Sequence, residues 1–131
     1  MNFLIDTNIC SAYLKGDSKV WSKFMQYSGG LGVSVVTAGE LWTWVARKGS
    51  SEKSRASVSD FLDVLEIVEI DLTVALQFGD LRGTLLDQGT PIPDMDGLIA
   101  ATALVHNLTL VTNNVADFRS VPKLRIEDWL S

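Results

Sequence analysis

The sequence predicts a single-domain α/β protein with a mostly parallel central sheet flanked by helices on both faces. Two observations carry this. Short apolar runs recur along the chain, separated by longer stretches with helical spacing, and strands that alternate with helices imply right-handed βαβ crossovers. In addition, an acidic residue stands near the end of several of these runs, where an open parallel sheet gathers its ligand-binding edge.

The first run, Phe3 to Ile5, ends at Asp6 and reads as the first core strand. A stretch with helical spacing follows until Ser28-Gly29-Gly30 breaks the chain. Gly32 to Val36 is the second apolar run, and Thr37 opens a helix that Lys48-Gly49-Ser50-Ser51 ends. On that helix Ala38, Leu41, Trp42 and Val45 form the expected buried stripe, while Glu40 and Trp44 share another face at i, i+4 spacing, with Arg47 and Lys48 one turn on. Ile67 to Ile70 is a weaker strand. The next helix is expected from Thr73 to Asp87, with Arg82 beside Phe78, Leu81 and Leu85. Gly97 to His106 is apolar nearly all round, so that helix is expected to be buried between the sheet and another layer. Leu108 to Val111 is a further strand, and Arg125 to Trp129 adds a last edge strand or a turn.

Composition narrows the class. At 131 residues one domain is expected, spanning 1–131, and it is long enough to bury a core without staples. The single cysteine, Cys10, cannot form an internal bridge, which points to a reducing, cytoplasmic setting. The N-terminus, MNFLIDTN, lacks a basic segment and a long apolar core, so no signal peptide is read there. No apolar run approaches the ~20 residues that span a bilayer. The net charge of −5 argues against tight non-specific nucleic-acid binding. The charge is uneven, however: residues 1–60 carry seven Lys or Arg against five acids, and 61–131 carry four against eleven.

Four acids define the chemistry. Asp6, Glu40, Asp96 and Asp117 each fall where a strand ends or a helix begins. Individually each suits a local role. Thr37-Ala-Gly-Glu40 matches a capping box, acids at helix N-termini complement the macrodipole, and Asn114 with Asp117 resembles an N-cap and its partner three residues on. Jointly, four acids on one edge repel by more than capping energies of about 1 kcal/mol offset, and a divalent cation resolves the conflict. Asp94 lies two residues before Asp96, roughly 160° away at α-helical pitch, so the two point apart and only one of them can join the set. His106, the only histidine, is read as structural. Asp6→Asn is expected to abolish activity without loss of stability, by relieving repulsion.

The motifs LIDTNI at 4–9, S-V-V-T-x-x-E-L at 34–41, D-x-x-I-A-A-T-A-L at 96–104 and L-T-L-V-T-N-N-V-x-D-F at 108–118 together give the chain a resemblance. It resembles PIN-domain ribonucleases of the VapC toxin type. The resemblance implies a PIN-like fold with Asp6, Glu40, Asp96 and Asp117 as catalytic and Mg²⁺ (or Mn²⁺) ligating acids, supported by Thr7, Asn8, Thr112 and Asn114. Where many of that family have T-x-D, this chain has Thr112-Asn113-Asn114, so a neutral amide occupies that corner and Asp117 carries the charge. It further implies an endoribonuclease toxin acting on a structured RNA (tRNA or rRNA), a homodimer, and a VapB-type antitoxin whose basic segment reaches the acidic pocket. Trp44, Arg47, Lys48 and Arg82 are candidates for contact with substrate or partner. The competing reading is a catalytically silent PIN-like module whose acidic pocket docks a basic segment. An aspartyl-phosphate phosphatase fits poorly, because Asn8 stands where a second acid is needed.

Overall fold

The computed structural model describes residues 1–131. Five strands form one sheet: β1 (Phe3–Ile5), β2 (Leu31–Ser34), β3 (Glu66–Val68), β4 (Thr109–Val111) and β5 (Ile126–Glu127), in the order β3-β2-β1-β4-β5. Every pairing is parallel. Phe3 sits opposite Leu31 on one side and Thr109 on the other. Seven helices connect them: α1 (Thr7–Leu14), α2 (Ser18–Gln26), α3 (Val35–Ala46), α4 (Glu52–Val64), α5 (Leu72–Asp87), α6 (Asp94–Val105) and α7 (Val115–Phe118). Each crossover from β1 to β2, β2 to β3 and β3 to β4 contains two helices.

Side chains on neighbouring positions of β1 point to opposite faces, as the period-2 pleat requires. Phe3 and Ile5 enter one core with Ile9, Phe24, Leu41, Val45 and Phe61, supplied by α1 to α4. Leu4 enters the other, with Leu81, Leu85, Ile99, Ala103 and Phe118 from α5, α6 and α7. Both faces of the sheet are therefore covered, and its central strands β1, β2 and β4 are buried nearly throughout, while the edge strands β3 and β5 carry the exposed Glu66 and Glu127. Aromatic rings brace the first core: Tyr13 stacks on Phe24 at 4.4 Å between centroids, and Trp129, buried, stacks on Tyr27 at 5.7 Å.

The all-apolar helix expected at 97–106 is α6, which begins one turn earlier, at Asp94. Its small buried residues Ala100, Ala101 and Ala103 let it lie close to the sheet. Gly97 is needed for a close approach as well, since a Cβ there would stand 2.9 Å from the Phe78 ring of α5. No helix is long and apolar enough to cross a membrane.

Several particulars differ from the sequence reading. The second strand ends at Ser34 rather than Val36, because the Ser34 hydroxyl accepts the Val36 N–H at 3.1 Å and starts α3 there. Thr37 is thus inside the helix and buried, so no capping box forms with Glu40. The third strand is Glu66–Val68 instead of 67–70, and its turn ends where Asp71 caps α5 by accepting the Val74 N–H. Finally, Trp42 does not belong to the buried stripe of α3. It is 38% exposed, with the Arg55 guanidinium 5.4 Å from its ring, while Thr37, Leu41 and Val45 face inward.

Candidate active site

Strand order decides where the acids meet. The chain builds outward from β1 to β2 and β3, then returns to place β4 on the other side of β1. The switch point therefore lies between the carboxyl ends of β1 and β4, where parallel sheets open a crevice. Asp6 follows β1 directly, its N–H donating to Val111 O at 2.8 Å, and Thr112 follows β4.

Asp6 is 3% exposed and firmly held. It caps α1 by accepting the Thr7 N–H at 2.8 Å, and it accepts the Thr112 hydroxyl at 2.7 Å and the Asn8 amide at 3.3 Å. Burial pushes its pKa up, and these hydrogen bonds oppose the shift. Capping and the site role thus fall on one carboxylate. Asn8 also ties the two strand ends together, because its Oδ1 accepts the Asn113 N–H at 3.0 Å. Thr112 accepts the Asn114 N–H at 3.0 Å while donating to Asp6. Asn114 itself is exposed and makes no side-chain cap of α7, so the expected N-cap pairing with Asp117 is absent.

Glu40 comes from the second turn of α3, and Thr7 on α1 holds it: Thr7 Oγ1 donates to Glu40 Oε1 at 2.6 Å. A hydroxyl carries one proton, so the buried Thr37 hydroxyl, 3.2 Å from Thr7 Oγ1, is the donor in that second contact. Thr37 was missed as a contributor to the site. Its i, i+3 relation to Glu40 was the available signal, and it was absorbed by the capping-box reading.

Asp96, in the first turn of α6, senses all the others. Its pKa is raised from 3.8 to about 6, first by burial and then by the negative charges of Asp6, Asp117 and Glu40. Asp94 points elsewhere, as the helical pitch requires, and pairs with Arg82 at 3.2 Å on the surface. Arg82 therefore neutralises Asp94. His106 caps the far end of α6, exposed, ten residues or about 15 Å along the axis from Asp96. Cys10 is buried beneath Asp6, and burial together with the Asp6 charge raises its thiol well above the ordinary value, which makes it inert.

The Arg82–Asp94 bridge is the chain's one ion pair, so none of the four acids has a cationic partner. Clustered hard oxygen donors without a counter-charge suit a divalent cation. As placed, no three of them form a set that could hold one ion. Glu40 and Asp117 are exposed, and Mg²⁺ retains several waters, so direct contact from all four is not required. The donor type is that of a hard-cation site, while the arrangement as it stands does not close around one ion.

The chain is thus a doubly wound parallel α/β domain with its acids gathered at the switch point, the class of site that open α/β sheets build at their strand carboxyl ends. A family model described as PIN domain matches residues 3–124, and the chain belongs to that family. Relatives that match over nearly their whole length include VapC ribonucleases. The tRNA(fMet)-specific endonuclease VapC of Salmonella typhimurium is 32% identical over 130 residues, covering 98% of both chains. The ribonuclease VapC2 of Haemophilus influenzae is 34% identical over 131 residues, covering 99% of both. Among solved structures, DNA-bound VapBC from Salmonella typhimurium superposes with a TM-score of 0.94 at 32% identity, over 98% of each chain.

Proposed function

We propose that this protein is an endoribonuclease toxin of the VapC type, dependent on Mg²⁺ or Mn²⁺, that hydrolyses phosphodiester bonds in a structured cellular RNA and is silenced by a VapB-type antitoxin. The observation that carries the reading is the four-acid cluster with no neutralising Lys or Arg, where burial first and then the charges of Asp6, Asp117 and Glu40 raise Asp96 to about 6. The VapC relatives support the reaction class, and the VapBC complex supports the partner. By analogy with the Salmonella relative, a transfer RNA is the favoured substrate class. A homodimer is expected on family grounds.

Asp6 and Asp96 would be the principal metal ligands, with Glu40 and Asp117 acting directly or through water. A divalent cation held there lowers the pKa of an attacking water and offsets charge on the phosphoryl group. The chain's own residues supply the positioning. Thr112, Asn8 and the Thr7 N–H hold Asp6 at the switch point, so little side-chain freedom remains to be lost on binding. Thr7 aims Glu40 across the crevice from α3. Asp96, with a pKa near neutrality in the free protein, is the acid best placed to exchange a proton with solvent when the site is empty of cation. A net charge of −5 also suits a partner that brings a basic segment to the acidic crevice.

The test is cleavage of total cellular RNA by purified protein in Mg²⁺ or Mn²⁺, beside EDTA and Asp96→Asn. A discrete product lost in both controls supports the proposal. Absence of any product from antitoxin-free protein in either metal would overturn it in favour of a silent binding module.

A further inference from the structure

The basic N-terminal half concentrates an unpaired cation and an exposed aromatic at the edge of the acid cluster. Lys15, at the end of α1, places Nζ 5.9 Å from the centre of the Trp44 ring on α3. These two side chains line one open depression with Thr7, Ser11, Leu41 and Glu40, so it begins at one acid of the cluster, Glu40. A second depression continues from Trp44 to Arg47, Lys48, Ser51 and Ser54 at the α3–α4 turn. Trp44 is 44% exposed and belongs to both. Lys15, Arg47 and Lys48 make no ion pair. Trp42 differs, because it stands two residues away on another side of α3 and lines neither depression, whereas Trp44, with Lys15 over one part of its ring, also borders the second depression.

We propose that this continuous track, from Glu40 over Trp44 to Arg47 and Lys48, binds single-stranded RNA flanking the cleaved bond, with Trp44 stacking one base and Lys15 contacting the adjoining phosphate. The inference rests on the nuclease reading for its substrate and goes beyond it by assigning where the strand leaves the acids. A track of cations interrupted by an aromatic face is what a single strand requires: the cations follow phosphates, and the ring accepts any base. The acidic crevice repels a polyanion, so an unpaired cation immediately outside it offsets that repulsion where the strand enters. Lys15 carries no sequence signal for this role, since it reaches Trp44 only through the packing of α1 against α3.

The experiment measures binding of a fluorescein-labelled single-stranded oligoribonucleotide in EDTA, so that affinity is read without cleavage. Trp44→Ala is expected to weaken binding by roughly tenfold or more, with Trp44→Phe retaining most of it. Lys15→Ala is expected to weaken binding and to lower the slope of log affinity against log salt by about 0.7, the value for one single-strand phosphate contact. Lys123→Gln, which removes a cation beside Asn107 and Pro122 at the opposite edge, serves as the charge control and should leave the slope nearly unchanged. Trp44-dependent binding by a protein that cleaves nothing would uphold the track and refute only the nuclease. Cleavage by a protein whose Trp44→Ala and Lys15→Ala variants bind RNA like wild type would overturn the track alone. Equal loss from Lys123→Gln would also overturn it.

Discussion

Replacing Asp96 with asparagine tests the acid cluster through stability, independently of any substrate. The Asp96 carboxyl accepts no hydrogen bond that lowers its pKa; the shift from 3.8 to about 6 comes from burial and three neighbouring acids. Two units correspond at face value to about 3 kcal/mol. Asp96 is only partly buried, and solvent screening reduces that to roughly 1–2 kcal/mol. A charge in the first turn of α6 returns about 0.3–1 kcal/mol through the helix dipole, which leaves about 1 kcal/mol. The sign follows from linkage. The folded protein holds this proton more tightly than the unfolded chain, so the penalty is absent below pH 3.8, grows as pH rises, and is complete above about 6. Urea unfolding in EDTA should therefore find Asp96→Asn more stable than wild type by about 1 kcal/mol at pH 7, with the gap closing towards pH 4. A divalent cation should reverse the order, since at ten times its Kd it stabilises wild type by about 1.4 kcal/mol and the variant less. A variant less stable than wild type at pH 7 in EDTA, or a gap independent of pH, would refute the repulsion argument.

Other outcomes follow from the same contacts. Asp6→Asn should abolish cleavage and, against the expectation from sequence, also lower stability by about 1–3 kcal/mol in urea titration, because an amide nitrogen replaces an oxygen that accepts Thr112 and Asn8. Thr112→Val should cost a similar amount for the same buried bond, and calorimetry on the pair Asp6→Asn and Thr112→Val should show non-additive losses. Thr7→Val should cost about 1–3 kcal/mol, because the buried Thr37 hydroxyl loses its partner, and raise the Mg²⁺ concentration needed for half-maximal cleavage, with Thr7→Ser restoring both, since only the hydroxyl aims Glu40. Cys10 should remain unreactive to a thiol reagent in native protein and react fully once denatured. Arg82→Ala should change stability by less than about 1 kcal/mol, as its pair with Asp94 is exposed.

Much of this architecture was legible from local pattern. Runs such as Phe3 to Ile5 and Leu108 to Val111 separated by helical spacing announce a parallel sheet, and pitch alone separates Asp96 from Asp94, because side-chain direction on a helix repeats every 3.6 residues. The same periodicity misplaced Trp42, since a stripe on a helix does not reveal which neighbours cover it, and it assigned Thr37 to a cap because the Ser34 side chain competes for the same helix start. What tertiary structure alone decided is the strand order. Thr112 meets Asp6 across 106 positions, and Lys15 meets Trp44 across α1 and α3. Such pairings depend on which strand docks beside β1, a choice set by the burial of whole layers rather than by residues near either partner. The sequence by itself therefore determined the acids and the elements that bear them, and the packing determined that they share one crevice.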